Sequence, residues 1–217
     1  MIRIGIVDDH DLVREGIRAI LEQDPSFEVV GETGDGQEAI RMANRLRPDV
    51  LLMDVHLPGG IGGLEATETI VADCPEVKVI ILTQYENREY IRRAIRIGAR
   101  GYLLKRSVAA QLKEAIKTVY AGQRYLHPAV ADELVDLLTT GKSLEEDDYD
   151  RLTPREKQVL KLLAEGKTSR DISKYLTISL KTAMTHRANV MAKLNAHSRA
   201  ELIRYAIRKA IIPVDEP

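Results

Sequence analysis

Val50-Leu51-Leu52-Met53-Asp54 is a continuous apolar run that ends in an aspartate. A run of this kind, without alternating polar residues, is typical of a strand that is buried on both faces of a parallel sheet. Four more short apolar runs occur in the first half of the chain, at residues 2–7, 28–31, 77–82 and 101–104. Helix-like amphipathic patterns separate these runs, and the alternation indicates βαβ units. Residues 1–122 are therefore predicted to form an α/β domain, a doubly wound five-stranded parallel sheet with helices on both faces.

The charged residues are distributed unevenly along the chain. Residues 1–150 carry 18 Lys and Arg against 27 Asp and Glu, a net charge of −9. Residues 151–212 carry 14 against 4, a net charge of +10. This asymmetry predicts a basic module that binds a polyanion, joined to an acidic module with a different task.

The composition also excludes several classes of protein. Cys74 is the single cysteine of the sequence, which excludes an internal disulfide and fits a reducing compartment. No apolar run is long enough to span a membrane, and the pair Asp8-Asp9 comes too early for a signal peptide. The sequence thus predicts a cytoplasmic protein without a membrane partner.

The second half of the chain shows no strand pattern. Residues 123–150 are predicted to be a linker, with a connecting helix at 128–140 and a mobile acidic stretch at 145–150. Residues 151–212 are predicted to form an all-helical domain with helices at about 154–164, 168–175, 179–194 and 198–211. Thr153, Thr168 and Ser179 are the expected N-caps of the first three. Residues 213–217 are left as a tail.

Side chains that can carry chemistry follow several of the predicted strands. Asp8 and Asp9 end the first apolar run, Asp54 the third, Thr83 the fourth and Lys105 the fifth. Ligands of open α/β sheets bind outside the carboxyl ends of the strands, so these side chains should share one pocket. Three carboxylates would repel each other unless a hard divalent cation joined them, and Mg²⁺ is the expected cofactor. A carboxylate beside Mg²⁺ can attack a phosphoryl group and form an acyl phosphate, with Lys105 supplying further positive charge.

This set of residues, with Pro58 and the run Gly101-Tyr102-Leu103-Leu104-Lys105, resembles the receiver domains of two-component signalling, whose sheet is flavodoxin-like. The resemblance implies that Asp54 accepts the phosphoryl group and that Lys105 pairs with it.

The same resemblance implies ligands and a switch. Asp9, Asp54 and the backbone carbonyl of His56 would bind Mg²⁺, with Asp8 assisting. Thr83 and Tyr102 would form the switch, the aromatic ring turning inward as the threonine moves to the phosphoryl group.

The sequence departs from the receiver pattern around this pocket. The loop Gly59-Gly60-Ile61-Gly62-Gly63 is longer and richer in glycine than usual, which predicts a mobile loop. Gln84 stands where receivers often carry a small residue, and we expect it to narrow the access of phosphate. His56 and Tyr85 flank the site and are predicted to tune the lifetime of the phosphate.

The segment from Leu152 to Ile211 resembles the four-helix DNA-binding domain of the LuxR/NarL (FixJ) regulators. The matching residues are Leu162 to Gly166, Ile172, Leu176, Ile178, Ser179 and the run from Lys181 to Leu194. A helix-turn-helix is predicted over residues 169–188, with its second helix in the major groove of DNA.

The second helix of this motif supplies the predicted DNA contacts. Ile172, Leu176, Ile178, Ala183 and Val190 can face inward. The residues expected at the DNA are Lys181, Thr182, Met184, Thr185, Arg187, Asn189 and Lys193. Lys181, Arg187 and Lys193 are assigned to phosphates, and Met184 to a thymine methyl group or the groove wall. For His186, packing and DNA contact are both left open.

The last predicted helix carries more apolar surface than three short helices need to cover. The resemblance implies a dimer interface there, through Ala200, Ile203 and Ile207, on a two-fold DNA site. Packing onto the core of the domain is the alternative, and the two are compatible.

The sequence therefore predicts a transcriptional response regulator that is switched by Mg²⁺-dependent phosphorylation of Asp54 and is not a dedicated enzyme. Its expected partners are a sensor histidine kinase, promoter DNA, a second copy of the chain and RNA polymerase. The moving face of the receiver is predicted at residues 91–99 and 101–105. Two alternatives are a phosphate-independent regulator and, less favoured, a phosphohydrolase that works through an aspartyl phosphate.

Overall fold

A computed structural model of the chain describes residues 1–84, 88–126, 148–149, 151–209 and 211–212. The predicted helix at 128–140, most of the acidic stretch, the tail at 213–217 and Tyr85 lie outside the described residues. The chain divides into two compact units, residues 1–142 and 143–217. The division falls inside the segment that the sequence predicts to be a linker.

The apolar runs of the first unit form a parallel sheet. Its strands are β1 (Ile2–Val7), β2 (Phe27–Thr33), β3 (Val50–Asp54), β4 (Lys78–Thr83), β5 (Gly101–Leu104) and β6 (Tyr125–Leu126). Their order in the sheet is β2-β1-β3-β4-β5-β6, so the predicted doubly wound parallel sheet is confirmed. The sheet has six strands, one more than the five predicted. The sequence did not predict β6, because a strand of two residues is too short to show periodicity.

Helices cover both faces of this sheet. They are α1 (Asp11–Glu22), α2 (Gly36–Leu46), α3 (Gly63–Asp73), α4 (Arg88–Arg96) and α5 (Val108–Tyr120). Every residue of β3 is buried, which agrees with its unbroken apolar sequence. On one face of the sheet, Ile4 and Leu52 form a core with Ile17 of α1 and Ile116 of α5.

The register of the strands aligns their carboxyl ends. Val7 of β1 pairs with Met53 of β3, so the residues that follow, Asp8 and Asp54, come side by side. Thr83 of β4 pairs with Leu104 of β5. The fold therefore gathers the chemical residues at one edge of the sheet.

All regular secondary structure among the described residues of the second unit is helical. It contains α6 (Pro154–Ala164), α7 (Ser169–Tyr175), α8 (Leu180–Lys193) and α9 (Arg199–Arg208). Thr153, Thr168 and Ser179 accept hydrogen bonds from backbone amides of the first turns of α6, α7 and α8, which confirms the three predicted N-caps. The last helix ends at Arg208, three residues before the predicted end.

Tyr149 differs from the expectation of a mobile acidic stretch. Its side chain is only 3% exposed and belongs to the core of the second unit, together with Leu152 and Val159. The ammonium of Lys157 lies 5.1 Å from the centre of its ring. The acidic composition of the stretch did not indicate that its one aromatic ring packs into a core, where a ring of this size buries a large apolar surface.

An ion pair with a buried carboxylate and an exposed lysine joins the beginning of α6 to the end of α8. Glu156 is 3% exposed, and its Oε2 lies 2.7 Å from Nζ of Lys193 and 2.8 Å from the backbone nitrogen of Thr153. Burial raises the pKa of Glu156, but the hydrogen bonds from Lys193 and Thr153 outweigh it, so that its pKa lies below the ordinary value. The folded unit therefore favours the ionised carboxylate.

We expect Glu156→Gln to lower the free energy of unfolding of the second unit by about 1 kcal/mol at pH 7, because the amide lacks the negative charge that pairs with the ammonium of Lys193. A carboxylate with a lowered pKa stabilises the fold above its ordinary pKa of about 4.3, and the effect is lost as the pH falls through the pKa of the folded form. The difference between parent and variant should therefore shrink on acidification.

The measurement is urea unfolding at pH 7 and at pH 4, monitored by hydrogen exchange of peptides from residues 151–209. Glu15→Gln, an exposed position of α1, is the control and should change nothing in these peptides. A difference that is independent of pH would contradict the role of the ionised carboxylate.

Candidate functional site

The ends of β1, β3 and β5 bring two carboxylates and one ammonium group into contact. Nζ of Lys105 lies 2.7 Å from Oδ2 of Asp8 and 2.9 Å from Oδ2 of Asp54. Asp8 is fully buried and Asp54 is 2% exposed. The sequence placed these three residues in one pocket, and the structure brings them together.

The pocket changes the acidity of Asp54. Burial raises the pKa of this carboxyl to about 6; the charge of Asp8 adds to the rise, whereas Lys105 opposes it. Two carboxylates therefore share a single ammonium group in a poorly hydrated place. Additional positive charge at this point would favour the ionised form of Asp54.

Asp9 and His10 extend the group toward solvent. Nδ1 of His10 lies 2.8 Å from Oδ1 of Asp9 and 3.3 Å from Oδ1 of Asp8. Potential ligand atoms of Asp8, Asp9, His10 and Asp54 all lie within 4.8 Å of one another. Carboxylate oxygens at this spacing suit a hard divalent cation such as Mg²⁺. His10 was not among the predicted ligands, because its closeness to the carboxylates depends on how the backbone turns after Asp9.

The two predicted switch residues are both buried. Thr83 ends β4 with no exposed surface, and Tyr102 of β5 is 1% exposed. The structure therefore describes the ring of Tyr102 in its inward orientation. Gln84, the next residue after Thr83, is exposed.

His56 links the loop after β3 to α4. Its Nε2 is hydrogen-bonded to the hydroxyl of Tyr90, and the two rings meet edge to face with centroids 5.1 Å apart. A second contact ties α4 to α3, because Nη2 of Arg93 lies 2.7 Å from Oε1 of Glu65 and both side chains are largely buried. Two side-chain contacts thus run from the surroundings of Asp54 to α4.

The glycine-rich loop between β3 and α3 has steric requirements at two positions. Gly59 has a φ of 87°, which residues other than glycine rarely adopt. A Cβ atom on Gly63 would lie 1.7 Å from the backbone oxygen of Asp54. Gly63 therefore allows the first turn of α3 to pack against the end of β3, a reason for glycine other than the mobility that the sequence suggested.

In the second unit, α8 is packed along one side and open along the other. Ala183 and Val190 are buried with Ile172 of α7, while Leu176 and Ile178 are half-buried against the same core. All five were predicted to face inward.

The predicted DNA contacts fall into three groups. Lys181, Thr182, Met184, Thr185 and Asn189 are exposed. Arg187 and His186 are half-buried. Lys193 is 37% exposed at its side chain but is held by Glu156, which gives it a structural partner inside the domain.

The residues predicted for a dimer interface share one face of α9. Ala200 is exposed and Ile203 and Ile207 are half-buried, at spacings of three and four residues. Leu202 and Ala206 of the same helix are buried in the core of the unit. The helix thus packs onto its own domain and still presents a partly apolar face.

Two family models match the chain. The model of the response regulator receiver domain matches residues 4–117. The model of the luxR family of bacterial regulatory proteins matches residues 150–206.

Known proteins resemble the chain over nearly its whole length. The oxygen regulatory protein NreC of Staphylococcus carnosus is 39% identical over 214 residues, which is 97% of this chain and 99% of the relative. NreC of Staphylococcus haemolyticus is 38% identical over the same shares.

Solved structures agree with this result. RcsB from Salmonella enterica serovar Typhimurium, bound to promoter P1flhDC in the presence of phosphomimetic BeF3⁻, is 29% identical and has a TM-score of 0.61 over 95% of this chain and 98% of that one. A LuxR-family two-component response regulator from Aurantimonas sp. SI85-9A1 is 37% identical, with a TM-score of 0.60 over 64% of this chain and 99% of that one. Among the described residues, no helix is both long and apolar enough to cross a membrane.

The contact between Gly63 and Asp54 gives a test of the site. Gly63→Ala should destabilise the first unit by about 3 kcal/mol, since the new methyl group must displace either α3 or the end of β3. It should also slow the reaction of Asp54 with a phosphoryl donor, because the backbone that carries this carboxylate moves.

Gly16→Ala is the matched control, as nothing lies within 4 Å of a Cβ at this position of α1. It should stabilise the unit by up to about 1 kcal/mol through helix propensity. Urea unfolding and phosphorylation followed by mass spectrometry measure both variants. Equal behaviour of the two would show that the close approach at Gly63 has no importance.

Proposed function

Because the chain belongs to the response regulators that join a receiver domain to a LuxR-type DNA-binding domain, we propose that phosphorylation of Asp54 controls how it engages promoter DNA. The chain is a DNA-binding regulator of a two-component system. The observation that supports Asp54 in particular is its position, buried beside Asp8 and within 2.9 Å of the Lys105 ammonium.

Asp54 acts as the nucleophile. A carboxylate oxygen attacks the phosphorus of the donor, the bond from phosphorus to the donor breaks, and the leaving group takes the electron pair. Lys105 already lies between Asp8 and Asp54, so its ammonium can pair with an oxygen of the incoming phosphoryl group without a large rearrangement. The product is an acyl phosphate on Asp54.

Asp8, Asp9, Asp54 and the carbonyl of His56 would hold Mg²⁺ in this pocket, and His10 lies close enough to join or orient them. When bound, the ion would neutralise the negative charge that the phosphoryl oxygens bring to the pocket. The residues fit this ion because three carboxylates converge where one ammonium group does not balance them.

Thr83 and Tyr102 carry the change away from the pocket. The hydroxyl of Thr83 binds a phosphoryl oxygen, and that move stabilises the ring of Tyr102 in the inward position that it already occupies in the structure. The result is a population shift of the face formed by residues 91–99 and 101–105 rather than a new fold. Formation and loss of the phosphate are therefore steps of regulation, not turnover of a substrate.

The second unit binds the major groove of DNA through α8. Lys181 and Arg187 contact phosphates, with Lys193 at the far end of the helix, and Thr182, Met184, Thr185 and Asn189 meet the bases. The net charge of +10 over residues 151–212 supplies the attraction to the backbone.

The remaining partners follow from this function. A sensor histidine kinase supplies the phosphoryl group, and a second copy of the chain pairs through Ala200, Ile203 and Ile207 of α9. RNA polymerase is the machinery on which the bound regulator acts. A cytoplasmic location follows from the DNA target.

The first test is the mass of the intact protein after incubation with Mg²⁺ and a small phosphodonor. We expect the parent chain to gain one phosphate and Asp54→Asn to gain none, because the amide cannot act as the nucleophile. Chelation of Mg²⁺ should reduce the gain strongly. If the parent gains nothing from the small donor or from a histidine kinase, a phosphate-independent regulator becomes the better description.

The second test concerns the charge of α8. Lys181→Gln should weaken binding to all duplexes about equally and lower the slope of log affinity against log salt by about 0.9, the value for one phosphate contact. Arg45→Gln, an exposed cation of α2 in the first unit, is the matched control and should leave the slope unchanged. Both are measured by fluorescence anisotropy over a series of salt concentrations, and an unchanged slope for Lys181→Gln would remove that contact.

A further inference from the structure

The open side of α8 has an unusual chemistry for a surface that meets DNA. At about 100° per residue, the buried pair Ala183 and Val190 defines the inner side of the helix. Lys181, Thr185 and Ala188 lie roughly opposite, and all are exposed. Met184 and Asn189 flank this row on its two sides, and both are exposed as well. These residues form the outer face of α8.

The hydroxyl group of Thr185 on this face is already used. Its Oγ1 donates to the backbone oxygen of Lys181 at 3.0 Å. That proton is not free for an acceptor on a base, whereas the γ-methyl group remains. Thr182 next to the face has a similar engagement, with its Oγ1 2.7 Å from Oγ of Ser179 at the helix N-cap.

Apart from Lys181 and Asn189, the outer face presents methyl groups. Met184 is 56% exposed, Ala188 one turn further on adds a second methyl group, and Thr185, about 100° around the helix from Met184, adds a third. Of the six large hydrophobic residues exposed among the described residues, Met184 and Leu180 both lie in the first half of α8. Exposed apolar side chains that cluster on a functional element are typical of a contact surface.

Arginine, one of the two side chains that read guanine, is turned away from this face, and the other, Lys181, is assigned above to a phosphate. Arginine binds the O6 and N7 of guanine with two hydrogen bonds. Arg187, however, lies within about 60° of the buried side and is half-buried. Asn189, in contrast, is exposed at the edge of the outer face, and its amide is the matching partner for adenine.

Resting on the function proposed above, we propose that α8 recognises A·T pairs by apolar contact, with Met184, Ala188 and the γ-methyl of Thr185 packed on thymine 5-methyl groups. Thymine is the one base with a methyl group in the major groove, so this contact distinguishes it from cytosine and from both purines. Asn189 reads an adjacent adenine. The preferred half-site is therefore rich in thymine on the strand that faces Met184.

The experiment uses the full-length chain, incubated with Mg²⁺ and the small phosphodonor, in two steps. Binding sites are first selected from a pool of random-sequence duplexes, and each thymine of the selected half-site is then replaced, one at a time, by deoxyuridine. This replacement removes only the 5-methyl group and keeps every hydrogen-bonding atom. We expect affinity to fall about three- to fivefold at two or three positions, the effect of one buried methyl group each.

Protein variants assign the contacts. Met184→Gln keeps the length of the side chain but makes it polar, and it should abolish the preference for thymine over deoxyuridine at one of the sensitive positions. Tyr175→Gln makes the same kind of change at an exposed aromatic residue of α7 and should retain the preference at every position. Both side chains are more than half exposed, and low-salt binding to random duplex shows that the variants are folded.

Three outcomes would count against this inference in different ways. Selected sites that tolerate deoxyuridine throughout, or that depend on guanine, would overturn the apolar readout and leave the DNA-binding function intact. A Met184→Gln chain that keeps the full preference would remove Met184 as the reader. Failure to enrich any sequence would overturn the proposed function and this inference with it.

Discussion

The Lys105 ammonium between the carboxylates of Asp8 and Asp54 is the interaction on which the first unit depends. Without it, two buried negative charges would face each other at the end of the sheet, and one would have to take up a proton. The strand order makes the contact possible, because β1 and β3 are neighbours and β5 lies one strand beyond β4. The same contact leaves the site short of positive charge, a deficit that a divalent cation can fill before an anionic phosphoryl donor enters.

Much of this arrangement could be predicted from the sequence, because the apolar runs of β1, β3 and β4 end directly in reactive residues. The parallel register then gives the neighbourhood of Asp8, Asp54, Thr83 and Lys105 without further assumptions. The sequence did not predict β6, because two residues are too few to show the alternation of a strand. His10 escaped prediction because its role depends on how the backbone turns after Asp9, which sequence spacing does not report.

The helical unit shows the same division between local and long-range information. The caps at Thr153, Thr168 and Ser179 were predictable because a capping hydrogen bond spans only three residues. The pairing of Glu156 with Lys193 was not, since it joins residues 37 positions apart. Nor was the burial of Tyr149, whose acidic neighbours dominate the local composition. The sequence predicted that Lys193 contacts a DNA phosphate, because it is a cation on a basic helix. In the structure its ammonium pairs with the carboxylate of Glu156 inside the protein.

The close approach of Gly63 to the Asp54 carbonyl has a mechanical consequence. A loop with slack would absorb a shift of the strand end, but here the helix and the strand touch with no room for a methyl group. The contact between β3 and α3 is therefore rigid. The glycine-rich loop, which the sequence predicted to be mobile, can move little where it meets α3. A displacement at the end of β3 must be passed on to α3, and through Glu65 and Arg93 to α4. Gly63 thus makes this end of the loop a rigid contact between β3 and α3 rather than a hinge.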